Sequence, residues 1–148
     1  MKIAVVSDVL GEENNGTTIA AMNLIRTLKA KGHEVRVICP DADKLGRDGY
    51  YIVKTLNVGP LNNYVKKNGV NIARPDKKVI HEALKDIDED HIMVPFLVGC
   101  YVAKYCHKHN IPLSAGFHCQ AENFSNHLFL MNAHHFNKGL YKFFYRHL

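Results

Sequence analysis

The sequence predicts an α/β domain, Rossmann-like and doubly wound, with a mainly parallel sheet covered by helices on both faces. Three observations predict it. Short apolar runs such as Ile3-Ala4-Val5-Val6 show no alternation of polar and apolar residues, as expected of strands buried on both sides. Each run is followed by a segment with helical spacing, so the chain reads as successive βα units. The length of 148 residues, 47% of them hydrophobic and 22% charged, suits a single domain that buries about two-thirds of its unfolded surface.

Strands are expected at 2–7, 34–39, 50–55, 91–95 and 112–118. In the first helix Thr17 or Thr18 supplies the cap, and Ile19, Ala21, Met22, Leu24, Ile25 and Leu28 form an apolar stripe. Gly32 ends it, after Lys29 and Lys31. A second helix starts at Pro75-Asp76 and runs to Ile87, with Lys77, Lys78, Glu82, Lys85 and Asp86 on the wet face. The third spans about 97–109, and its small residues Val98, Gly99, Cys100, Val102 and Ala103 imply close packing on the sheet. Breakers between 56 and 74 predict an irregular excursion. Helical tracts at 124–130 and 140–148 flank a polar break, and no strand follows, so the single domain 1–148 is expected to stop short of its last strand.

This composition excludes disorder, collagen and coiled coil. Nineteen Lys and Arg against 14 Asp and Glu leave a net charge of +5, but the basic residues are dispersed, which excludes a dedicated nucleic-acid arm. Four cysteines at unrepeated spacings, with no leader peptide, read as free thiols in a reducing compartment. With no apolar stretch of about 20 residues, the expectation is a cytoplasmic protein.

Chemistry concentrates in two places. In the loop after the first strand two glycines separated by four residues, Gly11 and Gly16, precede Thr17-Thr18, but Thr17 stands where a phosphate-binding loop needs lysine and Glu12-Glu13 would repel phosphate. The dinucleotide fingerprint is absent as well. Two readings remain: Asn15, Gly16 and Thr17 offer backbone N–H groups at a helix N-terminus to an anion or sugar hydroxyl, or they form an ordinary turn into a capped helix. The second place is His118-Cys119-Gln120-Ala121-Glu122-Asn123, at the carboxyl end of the last strand. Its imidazole, amides and carboxylate suit sugar hydroxyls, while Glu122 and Asn123 equally suit the start of a helix. No metal is expected, because no C-x-x-C or H-E-x-x-H spacing occurs and Cys100 and Cys106 fall on different helix faces. His118 and Cys119, adjacent on a strand, point to opposite sides and do not form a thiol-activating pair. The aromatic and basic helix from Gly139 to Leu148 suits either a peripheral membrane contact or packing on a further part of the protein.

Four features in order resemble the N-terminal half of a retaining, nucleotide-sugar-dependent glycosyltransferase of the GT-B fold, group 1 or family four. They are the Gly-bearing loop Asn15-Gly16-Thr17-Thr18, the segment Lys31-Gly32-His33-Glu34-Val35, the run Asp88-Glu89-Asp90-His91-Ile92-Met93-Val94-Pro95 with its small-residue helix and Asn110-Ile111-Pro112, and His118-Cys119-Gln120-Ala121-Glu122-Asn123. Together they cover nearly the whole chain.

The resemblance implies an acceptor-binding half that works with a separate donor-binding domain, in cis or as another chain. It implies that Gly16 and its neighbours approach the donor phosphates or the acceptor. It further implies that His118, as the catalytic residue, points at the transferred sugar, and that Gln120, Glu122 and Asn123 line the acceptor side. The same resemblance implies a nucleotide-diphosphate sugar as donor, a glycan or lipid as acceptor and no other cofactor, acting in the cytoplasm or at the inner face of the membrane; no nucleic-acid partner is expected. Two departures stand out: Asn15-Gly16 replaces the paired glycines of many members, and the family's Glu-x7-Glu donor motif is absent, so the chain alone is expected to be inactive. A second class of function stays open, a non-catalytic carbohydrate- or anion-binding module or a subunit that pairs with a separate C-terminal partner.

Overall fold

The structure, a computed structural model, describes residues 1–8, 10, 16–57, 59, 73–116 and 142. Five strands, β1 (Lys2–Ser7), β2 (Glu34–Cys39), β3 (Tyr50–Ile52), β4 (Glu89–Val94) and β5 (Leu113–Ala115), form one sheet in the order β3-β2-β1-β4-β5. Every pairing is parallel. Among the described residues three helices connect them: α1 (Gly16–Ala30), α2 (Lys77–Ala83) and α3 (Leu97–His109), with a 3-10 turn at Ala42–Lys44.

Parallel strands buried on both faces need two cores, and two are present. One face of β1 contributes Ile3 and Val5 to a cluster with Ala21 and Ile25 of α1 and Val35 and Val37 of β2. The other contributes Ala4 and Val6 to a cluster with Ile80 and Ala83 of α2 and Val98, Val102 and Ala103 of α3. The β1–β4 register shifts between Val6 and Ser7, which pair with Ile92 and Val94. That bulge turns consecutive residues Met93 and Val94 into the α1-side core and distorts the sheet at its carboxyl edge.

The local signals account for most element ends. At the C-terminus of α1, Gly32 adopts φ +81° and its N–H bonds the Lys29 carbonyl, while His33 N–H bonds the Leu28 carbonyl. That is the Schellman arrangement, which needs a residue without a Cβ penalty at this position. The Asp76 side chain accepts from Lys78 N and Val79 N and caps α2. The span predicted for the third helix is the span of α3, and its five small or apolar residues are all buried.

Several expectations are corrected. α1 begins at Gly16, so Thr17 and Thr18 lie inside its first turn instead of capping it, and Thr18 is buried. Ile19 stays 42% exposed; the buried stripe runs through Thr18, Ala21 and Ile25. α2 ends at Ala83 and not at Ile87, because Leu84 leaves helical geometry and Asp86 takes the left-handed φ of 57°. The third strand pairs only over Tyr50–Ile52, after which Thr55 forms an isolated antiparallel bridge with Ala73. β4 starts two residues earlier than expected, placing Asp90 in the core. The strand expected at 112–118 is Leu113–Ala115 within the described residues; positions 117 and 118, and the tracts at 124–130 and 140–148, lie outside them apart from residue 142.

Arg36 of β2 fastens α2 to the sheet. Its Nη1 donates to the carbonyls of Ala83 (3.3 Å) and Lys85 (2.6 Å), two acceptors left over where α2 ends, while Glu34 pairs with the same guanidinium at 2.8 Å. Arg36→Met, which keeps much of the apolar stem, is expected to cost about 1–2 kcal/mol in a denaturant melt. An unchanged midpoint would show that water replaces the guanidinium at no cost.

Candidate active site at the carboxyl edge

In a sheet ordered 3-2-1-4-5 the connections leaving β1 and β4 run to opposite faces, and the crevice between them is where such folds place ligands. Here α1 follows β1 onto one face and α3 follows β4 onto the other. Two helix N-termini, each with a positive dipole end, therefore flank the carboxyl edge.

The two ends differ. Phe96 occupies the N-cap position of α3 and has no side-chain oxygen with which to cap it. Asp8, one residue past β1, does so instead: Oδ1 accepts from Val98 N at 2.8 Å and Oδ2 from Gly99 N at 2.9 Å. These are the second and third residues of the helix, the donors that a conventional cap satisfies, yet the carboxylate arrives from a strand 90 residues away. Asp8 is fully buried, and burial pushes its carboxyl up to about 7 even though the bonds from Gly99, Val98 and Phe96 pull the other way. A carboxylate belonging to the fold thus already occupies the N-terminus of α3.

The start of α1 differs among the described residues. Gly16 is exposed and Thr17 half-buried, and there is no acidic side chain in the first turn. A Cβ built on Gly16 meets nothing within 4 Å, and its φ is not positive. Among the described residues neither crowding nor backbone strain demands a glycine at this position.

Of the predicted site residues the structure brings Gly16 and Thr17 to the carboxyl edge; Asn15, His118, Gln120, Glu122 and Asn123 lie outside the described residues. Sequence reasoning missed Asp8 as a site-building residue, although a carboxylate directly after a fully buried strand was a signal. Beside it, Ser7 is buried with its Oγ unpaired among the described residues.

Among the described residues no group of three or more His, Cys, Asp or Glu side chains gathers in metal-binding range. Cys39, Cys100 and Cys106 are buried, and burial pushes their thiols up to about 11, 11 and 12, which keeps them protonated and unreactive. The Cys100 thiol is spent on the Pro95 carbonyl at 3.2 Å. A polar relay joins β4 to β5, with His91 Nδ1 at 2.9 Å from Ser114 Oγ, which donates to Glu89 at 3.0 Å. It lies toward the amino half of β4, away from the crevice.

Comparison with known proteins fits this geometry. The sequence model of Glycosyltransferase Family 4 matches residues 14–148. The chain belongs to that family and forms the Rossmann-like, N-terminal type of domain of its GT-B glycosyltransferases. No curated protein and no solved structure matches the chain significantly. No helix among the described residues is long and apolar enough to cross a membrane.

Proposed function

We propose that this chain is the acceptor-binding half of a retaining glycosyltransferase of hexosyltransferase type. It uses a nucleotide-diphosphate sugar and extends a glycan or lipid acceptor in glycolipid or surface-polysaccharide synthesis. The observation that carries the reading is the start of α1 at an exposed Gly16, beside the strand-order reversal, while the N-terminus of α3 is closed by Asp8. Transfer of a glycosyl group develops positive charge at the anomeric carbon and negative charge on the departing diphosphate. Uncovered backbone N–H groups at a helix start stabilise the latter without a metal.

In this reading His118 is the catalytic group at the transferred sugar, and Gln120, Glu122 and Asn123 hold the acceptor beside Asn15, Gly16 and Thr17. The donor binds chiefly to a C-terminal domain, in cis or as a separate chain, and the reaction takes place in the cytoplasm or at the inner face of the membrane, with the aromatic, basic segment 139–148 as a peripheral contact.

The test uses this chain alone and joined to a donor-binding half. Alone, it is expected to neither hydrolyse nor transfer from UDP- or GDP-sugars. Once joined and active, Gly16→Asp is expected to slow transfer at least about tenfold while leaving thermal stability equal or higher, because an acid in the first turn favours the helix yet repels an anion. His118→Ala should lower the rate by about a hundredfold or more. Turnover by the chain alone would sink the split-site reading, and saturable sugar binding with no transfer in any pairing would favour a binding module.

A further inference from the structure

Helices α2 and α3 lie side by side over one face of the sheet, and their outer sides meet in a stack of rings. His81 Nε2 stands 3.0 Å from the Tyr101 hydroxyl. The His81 ring lies 4.7 Å, centroid to centroid, from that of Tyr105, which lies 4.2 Å from that of His109. Four exposed lysines surround the stack, Lys77 and Lys78 from α2 and Lys104 and Lys108 from α3. They are scattered along the chain, and the packing of the two helices brings them to one surface. Among the described residues none of them pairs with a carboxylate. α3 contains neither Asp nor Glu, and Glu82 is the single acid of α2, so four lysines face one carboxylate before any histidine is counted. Past the end of α2, Lys85 and Asp86 cancel each other. The apolar component runs along α3: Leu97 stays 40% exposed, and the half-buried Tyr101 and Tyr105 follow it at four-residue intervals, on one side of the helix.

We infer that the outer face of α2 and α3 is a docking surface for an anionic lipid bilayer, with both helices lying in the plane of the headgroups. It gives a surface to the placement at the inner face of the membrane proposed above, on which it rests. Leu97 and the two tyrosines enter the boundary between headgroups and acyl chains, where amphipathic rings settle. The lysines keep their stems along the protein and their ammonium groups among the lipid phosphates. Each lysine held near an anionic leaflet strengthens partitioning by about fivefold.

Other anionic occupants fit this face less well. A nucleic acid or an acidic glycan would call on the aromatic side chains as platforms for flat rings, yet the Tyr105 ring is already engaged by two imidazoles and the Tyr101 hydroxyl by one of them. The tract at 139–148 of this chain carries Lys142 and Arg146 and no acid, so its charge has the same sign as the face and does not complement it.

The experiment floats the full 148-residue chain with lipid vesicles. The chain should bind vesicles of phosphatidylcholine and phosphatidylglycerol in about a two-to-one ratio, should ignore vesicles of phosphatidylcholine alone, and should be released by high salt. Lys104→Gln combined with Lys108→Gln should lower partitioning at least about tenfold with an unchanged thermal melt, because both side chains are exposed. Leu97→Gln should lower it about threefold. Loss of binding confined to Lys142→Gln with Arg146→Gln would move the contact to 139–148, and binding of soluble polyphosphate without binding of vesicles would make the occupant an anionic polymer. Either result overturns the docking face, as does equal binding to both kinds of vesicle or to neither. The transferase reading is decided separately, by the transfer assays described above.

Discussion

Gly99→Ala is expected to destabilise the domain by about 2–3 kcal/mol, measured as a lowered midpoint of chemical denaturation. The added methyl would sit 2.8 Å from the Val94 carbonyl oxygen and 2.9 Å from Ile92 Cγ2. The first is backbone of a paired strand and the second belongs to a side chain with no exposed surface, so neither yields without disturbing the sheet. The remaining course is for α3 to lift from β4, which pulls Gly99 N away from Asp8 and breaks the cap as well. Alanine's better helix propensity returns at most about 1 kcal/mol. Gly16→Ala is the matched control: the methyl enters open space on a helix start, and stability should hold or rise slightly. Equal behaviour of the two variants would mean that α3 is not seated as tightly on the sheet as described.

Asp90→Asn is expected to stabilise the protein at neutral and alkaline pH, by roughly 2 kcal/mol at pH 8, and to change little at pH 4. Asp90 has no exposed surface, and neither of its carboxyl oxygens meets a hydrogen-bond partner among the described residues. Burial, reinforced by the neighbouring Glu89, raises its pKa well above the ordinary carboxylate range. The sign follows directly. The folded state holds its proton to a higher pH than the unfolded state, so stability is fully present below the unfolded value of about 4 and declines as pH rises from there toward the folded value. Asparagine has the same shape and no proton to lose, so the difference between variant and wild type should widen steadily through that window. Asp8, raised to about 7, adds a decline of the same sign between pH 4 and 7 that the variant retains. Thermal melts at pH 4, 6 and 8 measure the divergence, and parallel curves would show that Asp90 is not desolvated.

The fold was legible where periodicity and punctuation coincided. Buried parallel strands gave continuous apolar runs at 3–6 and 37–39, Gly32 stood where a left-handed residue closes α1, and the small residues of 97–109 announced a helix lying close on the sheet. Expectations failed where tertiary context outweighed local pattern. Glu89-Asp90 looks too polar to open a buried strand, yet pairing with Ala4 and Leu113 carries Asp90 inside. Ile19 looks like stripe but falls on the outer side of α1 once the helix begins at Gly16.

The site was legible in the same uneven way. Gly16 and Thr17 could be named from loop spacing and strand order, and both reach the carboxyl edge. The cap on α3 could not, because a helix start is normally read from the residue before it, and here the acceptor comes from 90 positions upstream.

That separation bears on how the chain folds. A helix with its own capping residue can close its first turn locally, on a submicrosecond scale, before any distant segment arrives. α3 has no such residue at its start, so its first turn is completed only after β1 has docked beside β4, across a loop whose closure is among the costlier steps in a domain of this size. The cap at the start of α3 is thereby expected to close only with the docking of β1, even if the rest of the helix forms earlier.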